Sequence, residues 1–182
     1  MVGLPAERAA LLEAPNATRG GRELMQLART LSDEAAWTDG FAEPVGSASR
    51  GDFGARLDYG SGQPVVRRID GNWGERQRGW SYPIPLGSPV AAPGGGSVIF
   101  AGSLTLAGRA VVVDHGQGLV SVLRHLSRFA VAEGDDVKRG QRLGDSGASG
   151  LVPGPLLHWS VFLHGIAVDP QIVMAVTRPP AD

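Results

Sequence analysis

Five runs of β-branched and apolar residues, at 97–101, 110–114, 119–126, 141–145 and 157–163, fill the second half of this chain and are divided by glycine-rich turns. Runs this short, bounded by Gly, Ser and Asp, predict strands rather than helices. A parallel sheet would need crossover helices between the strands. No such alternation occurs from Val90 onward. The pattern therefore predicts a mainly β fold built on antiparallel strands.

The first half reads differently. Pro5 can open a short helix, and Pro15-Asn16 with Gly20-Gly21 separate it from a second. There Leu24, Leu27, Ala28, Leu31 and Ala35 recur at steps of three and four, opposite Arg22, Gln26, Arg29 and Asp33. This predicts an N-terminal helical extension over residues 1–36. Its apolar stripe packs on its own domain; the alternatives are a docked partner or a movable cover over a groove. Residues 37–80 carry Gly51, Gly54, Gly60, Gly62, Gly71, Gly74 and Gly79 and read as a loop-rich lead-in with short strands, the best of them at 64–69. The β domain follows over 81–176.

Composition narrows the function. With 182 residues the chain is long enough for one domain with an extension. Lys+Arg 17 against Asp+Glu 18 gives a net charge of -1, so no basic field exists for nucleic acid. No apolar run reaches the roughly 20 residues needed to cross a bilayer, and no signal-peptide pattern opens the chain. With Cys 0, disulfides are excluded. A catalytic zinc site needs three ligands drawn from His, Cys, Asp or Glu, with one position left for water. The four histidines are His115, His125, His158 and His164, so residues 1–114 contain none. Read as they stand, His115 and His164 are turn residues, and His125 and His158 lie in apolar strand-like runs.

Several motifs occur in a fixed order. Gly79 is followed by Gly87-Ser88-Pro89-Val90, Ala92-Pro93 with Gly96, Asp114-His115-Gly116, and Arg124-His125-Leu126-Ser127. Then come Gly134-Asp135-Asp136-Val137 with Gly140-Gln141, Gly154-Pro155-Leu156-Leu157-His158 and Val168-Asp169-Pro170. Over residues 77–170 this order resembles the LytM or lysostaphin-like zinc peptidases that cut bacterial peptidoglycan. The resemblance implies the duplicated hybrid motif, two antiparallel sheets with a groove along one of them. It places the family's upstream His and Asp ligands on Gln77 and Ser81, its remaining ligand on His158, and its two assisting histidines on His125 and Leu156. Asp58 and Asp70 are acidic but lie at the wrong spacing to step in. Biotinyl and lipoyl carriers share the Gly-Gln hairpin, but Lys138 sits within that turn rather than in an exposed hairpin. Arg124-His125-Leu126-Ser127 does not match the phosphorylated-histidine context of glucose-type phosphotransferase domains.

What the resemblance implies is a degenerate member, with zinc expected to be absent and no peptidase activity. His125 and His158 are its remnants; Gln77, Ser81 and Leu156 are its lost positions. Trp80, Tyr82, His125, Leu156, His158 and Trp159, with Trp73 nearby in sequence, are expected to line a groove that binds rather than cuts. Members that have lost ligands resemble the EnvC and NlpD type of amidase activators. The expected role is regulator or scaffold of cell-wall hydrolysis in the periplasm or cell envelope. Its expected partner is a peptidoglycan amidase or another envelope protein, with peptidoglycan itself as a further ligand. The alternatives are an active zinc endopeptidase with substitute ligands and a passive peptidoglycan-binding module.

Overall fold

The computed structural model describes residues 17–46, 53–54 and 78–178. The helix expected at Pro5, the strand expected at 64–69, and Asp58, Asp70, Trp73 and Gln77 lie outside them.

The elements in chain order are α1 (Ala17–Leu27), β1 (Trp80–Tyr82), β2 (Pro89–Ala91), β3 (Gly96–Leu104), β4 (Gly108–Asp114) and β5 (Leu119–Phe129). They continue as β6 (Asp136–Val137), β7 (Arg142–Ser146), β8 (Leu157–Leu163), β9 (Ile166–Val168) and α2 (Pro170–Val176). Every described strand pairing is antiparallel, in the order β1-β8-β5-β4-β3-β6, with β9 on β8 and β2 on β7. This is the mainly β, antiparallel architecture that the resemblance implies. Its two layers form one hydrogen-bonded network, because β5 belongs to both. Residues 119–124 of β5 pair with β8, and residues 126–129 turn away to pair with β7. Asp145 anchors that departure: Arg128 donates from Nε at 2.9 Å, and Arg142 donates from Nε at 3.0 Å. These guanidinium groups, Arg142 foremost, hold the Asp145 carboxyl below the usual carboxylate range.

Two cores lie on opposite faces of the main sheet, as the period of two requires. The larger is enclosed between the main sheet and the β2–β7 layer. It contains Trp80, Tyr82, Val90, Val111, Val113, Leu123, Leu126, Leu143, Leu157, Trp159 and Val161. The smaller lies on the other face, where Leu24 and Ala28 of the α1 region meet Ala107, Val112, Val120, Val122 and Phe162.

The N-terminal segment is thus built into the domain, and its helix is shorter than the apolar stripe predicts. After Leu27 the bonds tighten to Arg29 N–H with Gln26 O and Thr30 N–H with Leu27 O, and the helix stops. The chain then spends its hydrogen-bonding groups on the β4–β5 turn. Ser32 Oγ donates to Asp114 at 2.5 Å, Gln117 N–H to Ser32 O at 2.6 Å, and Ala36 N–H to His115 O at 2.8 Å. Gly116 permits this approach: its φ is +90°, and a Cβ there would lie 1.8 Å from the Glu34 carbonyl oxygen. Leu31, counted in the stripe, is accordingly 67% exposed. Residues 37–46, read as part of a lead-in, bring Phe41 and Val45 into the larger core and bond to Pro93 and Ala91. The α2 helix follows a legible signal, Asp169 capping Gln171 N–H with Pro170 in the first turn.

Candidate functional site

The candidate site is assembled where β1, β8 and β5 lie side by side. Ser81 is opposite His158, and His158 is in turn opposite Arg124. Directly opposed residues share a face, so these three side chains form a row across the sheet. Residues at even steps from His158, Ser160 and Phe162, share that face, and Phe162 belongs to the α1 core. The row therefore lies on the face that α1 covers. Leu156, half-buried, bridges to Gly147 two residues before His158.

His158 is 6% exposed and held at both ring nitrogens. Nδ1 is 2.9 Å from Ser81 Oγ and Nε2 is 2.9 Å from Ser160 Oγ. A neutral imidazole donates from one nitrogen and accepts at the other, and two hydroxyls satisfy both needs. Burial, then the charges of Arg124 and His125, push its pKa well below the ordinary value. The ring is neutral at pH 7.

His125 reaches the same place by a backbone irregularity. The β4–β5 register slips between Arg109↔Leu126 and Ala110↔Arg124, leaving His125 as the extra residue with φ of +69°. A β-bulge of this kind re-aims a side chain. For a residue other than Gly the conformation is strained, and such strain gathers at functional sites. His125 Nδ1 lies 2.9 Å from Ser149 O, so Nδ1 carries the proton and donates. Gly79, just before β1, lets that strand press against β8, since a Cβ there would lie 2.2 Å from the Trp159 carbonyl oxygen.

The aromatic residues are elsewhere. Trp80, Tyr82 and Trp159, expected to line the groove, are 2%, 0% and 0% exposed and belong to the larger core on the opposite face. Trp80 is opposite Trp159 in register, their rings 6.1 Å apart edge to face, and Trp159 Nε1 donates to Ser121 Oγ at 3.1 Å. The alternation along β1 and β8 dictates this: with Ser81 and His158 on one face, their neighbours must face the other way. His115, read as a turn residue, does sit at a turn but is fully buried. Its Nδ1 donates to Gly95 O at 2.6 Å, its ring meets Phe41 edge to face, and burial lowers its pKa to about 4. Arg124 is the site residue that sequence reasoning passed over. Nothing but the strand register reveals it as His158's neighbour.

The described residues of the row do not fit a zinc ion. Ser81 offers a neutral hydroxyl where a carboxylate would bind, His158 has both nitrogens occupied, and Arg124 places a positive charge alongside. Among the described residues no group of three or more His, Cys, Asp or Glu could hold a metal. Also among them, no helix is long and apolar enough to cross a membrane.

The family model for peptidase family M23 matches residues 75–170. The chain is 36% identical over 106 residues to the peptidoglycan DD-endopeptidase ShyA of Vibrio cholerae, covering 58% of this chain and 24% of ShyA. It is also 36% identical over 99 residues to the DD-carboxypeptidase/endopeptidase Mpg of Neisseria meningitidis, covering 54% of this chain and 23% of Mpg. The chain thus spans about a quarter of the length of these curated relatives. A candidate M23 peptidase from Pseudomonas aeruginosa superposes with a TM-score of 0.69 at 31% identity, covering 90% of this chain and 61% of that one. That coverage extends well beyond the matched residues, into the part of the chain that carries α1. The catalytic domain of lysostaphin from Staphylococcus simulans shares the fold, with a TM-score of 0.58 at 24% identity over 79% of this chain and 99% of that domain. By its matched region, which is more than half of its length, this chain belongs to peptidase family M23.

Proposed function

We propose that this chain is a catalytically inactive M23 domain that serves as a regulator or scaffold of cell-wall hydrolysis in the cell envelope. The observation that carries the reading is the hydroxyl closure of His158, with Ser81 on Nδ1 and Ser160 on Nε2. In a zinc hydrolase the metal lowers the pKa of a bound water and polarises the substrate carbonyl. Here the one ring that the resemblance assigns as a ligand is buried and already partnered at both nitrogens. The outer face of the sheet can still bind without that chemistry. Beside the polar row the same face carries an apolar strip of Val112, Val120, Val122 and Phe162 that already accommodates a helix, α1. An amphipathic helix from a peptidoglycan amidase or another envelope protein has the shape and chemistry to take that place.

Metal analysis of the chain purified without chelator tests the first part. Well under one zinc per chain is expected, and one tightly held zinc overturns it. For the second part, Leu24→Asp is used to loosen α1, and stimulation of a peptidoglycan amidase is compared with that by the native chain. Equal stimulation by the two forms removes the cover from the mechanism. Deleting residues 1–36 is a poorer test, because it also removes the bonds of Ser32 and Ala36 to the β4–β5 turn.

The competing reading is a zinc endopeptidase with substitute ligands. It draws on the relatives, which are named as endopeptidases. Release of peptide from purified cell wall, abolished by chelator, would establish it.

A further inference from the structure

We infer that Ser81 is a nucleophile activated by His158, and that the site accepts a short acyl group from an activated carboxylic ester without any metal. That chemistry is additional to the regulatory role. It rests on the reading of the site as metal-free, because a ring nitrogen bound to a metal has no lone pair left for a proton.

Three observations carry it. The first is the order of the groups. Ser81 Oγ, the His158 ring and Ser160 Oγ form one hydrogen-bonded chain, with 2.9 Å at Nδ1 and 2.9 Å at Nε2. A hydroxyl within reach of an imidazole whose other nitrogen is held by a third group is the arrangement that activates serine for acyl transfer. In this assignment Nε2 carries the proton and donates it to Ser160 Oγ, which leaves the Nδ1 lone pair to accept from the Ser81 hydroxyl. The second is access. His158 and Ser160 are 6% and 3% exposed, whereas Ser81 is only half-buried. Among the described strands β1 is also the last in the order β1-β8-β5, so the nucleophile stands at the margin and its base one strand further in. The third is restraint. Ser81 is opposite His158 in the β1–β8 register, and His158 is held on its other side by β5. Gly79 lets β1 lie close, since a Cβ there would be 2.8 Å from Ser160 Oγ. Paired strands rather than a loop therefore fix the distance between nucleophile and base.

The step is a simple acyl transfer. Ser81 Oγ attacks the ester carbonyl carbon while its proton passes to His158 Nδ1. The tetrahedral adduct then collapses, the bond to the leaving oxygen breaks, and a good leaving group departs as its anion with the electron pair. His158 returns the proton to water, and the acyl group stays on Ser81 as an ester. The ring is partnered by two hydroxyls, and neither is a carboxylate that could support an imidazolium. Hydrolysis of the acyl-serine is therefore slow, and the chain is acylated once instead of turning over.

The test uses the full chain and p-nitrophenyl acetate, with nitrophenolate release followed by absorbance and the acetylated residue located by mass spectrometry after digestion. Native chain is compared with Ser81→Ala, His158→Gln and Ser160→Ala, and near-ultraviolet circular dichroism checks that each is folded. Should His158→Gln fail to fold, His158→Asn makes the same comparison. One acetyl group on Ser81 is expected in the native chain and none at that position in Ser81→Ala, with chelator making no difference. His158→Gln is expected to slow acetylation of Ser81 by about a hundredfold or more. Nitrogen NMR of the native ring is expected to find the proton on Nε2. Ser160→Ala is expected to slow acetylation less than His158→Gln does and to move the ring proton toward Nδ1. Acetyl confined to the amino terminus and Lys138, the only lysine, overturns the inference. So does equal acetylation of Ser81 with and without His158, its loss in chelator, or a native ring protonated at Nδ1. No change of rate or ring proton in Ser160→Ala overturns the orienting role of Ser160 and the fixed tautomer with it. None of these results decides the metal-free reading, which falls if the native chain itself holds zinc.

Discussion

The two faces of the main sheet are made from the same strands and differ in what a mutation there should do. The inner face, Trp80, Tyr82, Leu123, Leu157, Trp159 and Val161, is apolar and enclosed between two layers of strands. The outer face has a polar centre of Ser81, Arg124, His158 and Ser160 beside an apolar floor, and its cover is a single short helix joined through a turn. A buried polar centre adds little stability even when satisfied, because its hydrogen bonds replace bonds to water. The inner face should therefore determine whether the domain folds, while the outer face is free to change chemistry. The ligand loss proposed for this chain, without loss of the fold, is what that division would permit.

The largest expected effect breaks the comparison at its strongest point. Trp159→Ala removes a fully buried ring and its bond to Ser121, and is expected to cost about 3–5 kcal/mol. Urea unfolding measures it. A loss below about 1 kcal/mol would mean that the inner face is not the folding core.

Next comes pH. His115 has a folded pKa of about 4 against an ordinary 6.5, because its burial disfavours the charged ring. The unfolded chain takes up a proton below about pH 6.5 that the folded chain refuses. Stability is therefore complete above that pH and declines as pH falls toward about 4, by about 3 kcal/mol from this group. His158, shifted in the same direction, deepens the decline. Unfolding curves at pH 7 and pH 4.5 read the effect, and His115→Phe should remove His115's part of it. A pH-independent stability across that range would overturn the assignment of His115 as buried and neutral.

A smaller effect belongs to the cover. Leu24→Ala truncates one of the two buried hydrophobic side chains of the α1 region, the other being Ala28, and is expected to cost about 2 kcal/mol. If α1 opens independently of the sheet, hydrogen exchange will speed up in residues 17–28 and stay slow in β5 and β8. Faster exchange throughout would show the helix to be part of the folding core, and the contrast between the faces would weaken.

How much of this was legible in the sequence follows from what each feature depends on. The five long strands depend on local pattern: the run at 157–163 coincides with β8 (Leu157–Leu163). The pairs and triplets of β1, β2, β6 and β9 are too short to show a period and exist only because a neighbour offers hydrogen bonds. Trp80, Tyr82 and Trp159 face the larger core rather than the groove, and the sequence carries the signal for it. In Leu157-His158-Trp159-Ser160-Val161 the alternation itself says that a His in the groove puts Trp159 beneath the sheet. The length of α1 was overestimated for another reason. The stripe continues to Ala35, but the backbone from Ser32 onward finds partners on the β4–β5 turn, a tertiary contact that no periodicity reports. Arg124 needed the β5–β8 register, which sequence does not supply.

The smallest expected effect tests the polar centre most directly. In Ser81→Ala, His158 loses the hydroxyl at Nδ1 and keeps Ser160 at Nε2. Ser81 is half-buried, so water can reach the vacated position and the cost is expected to stay at about 0.5–1 kcal/mol. Nitrogen NMR of the ring then reports which nitrogen carries the proton, and the exchange of water for a hydroxyl should leave the ring neutral at pH 7. A loss as large as that for Leu24→Ala would mean that the hydroxyl closure of His158 holds the β1–β8 pairing together. The outer face would then contribute to folding as well as carrying the site, and its chemistry could not have changed as freely as the contrast between the faces implies.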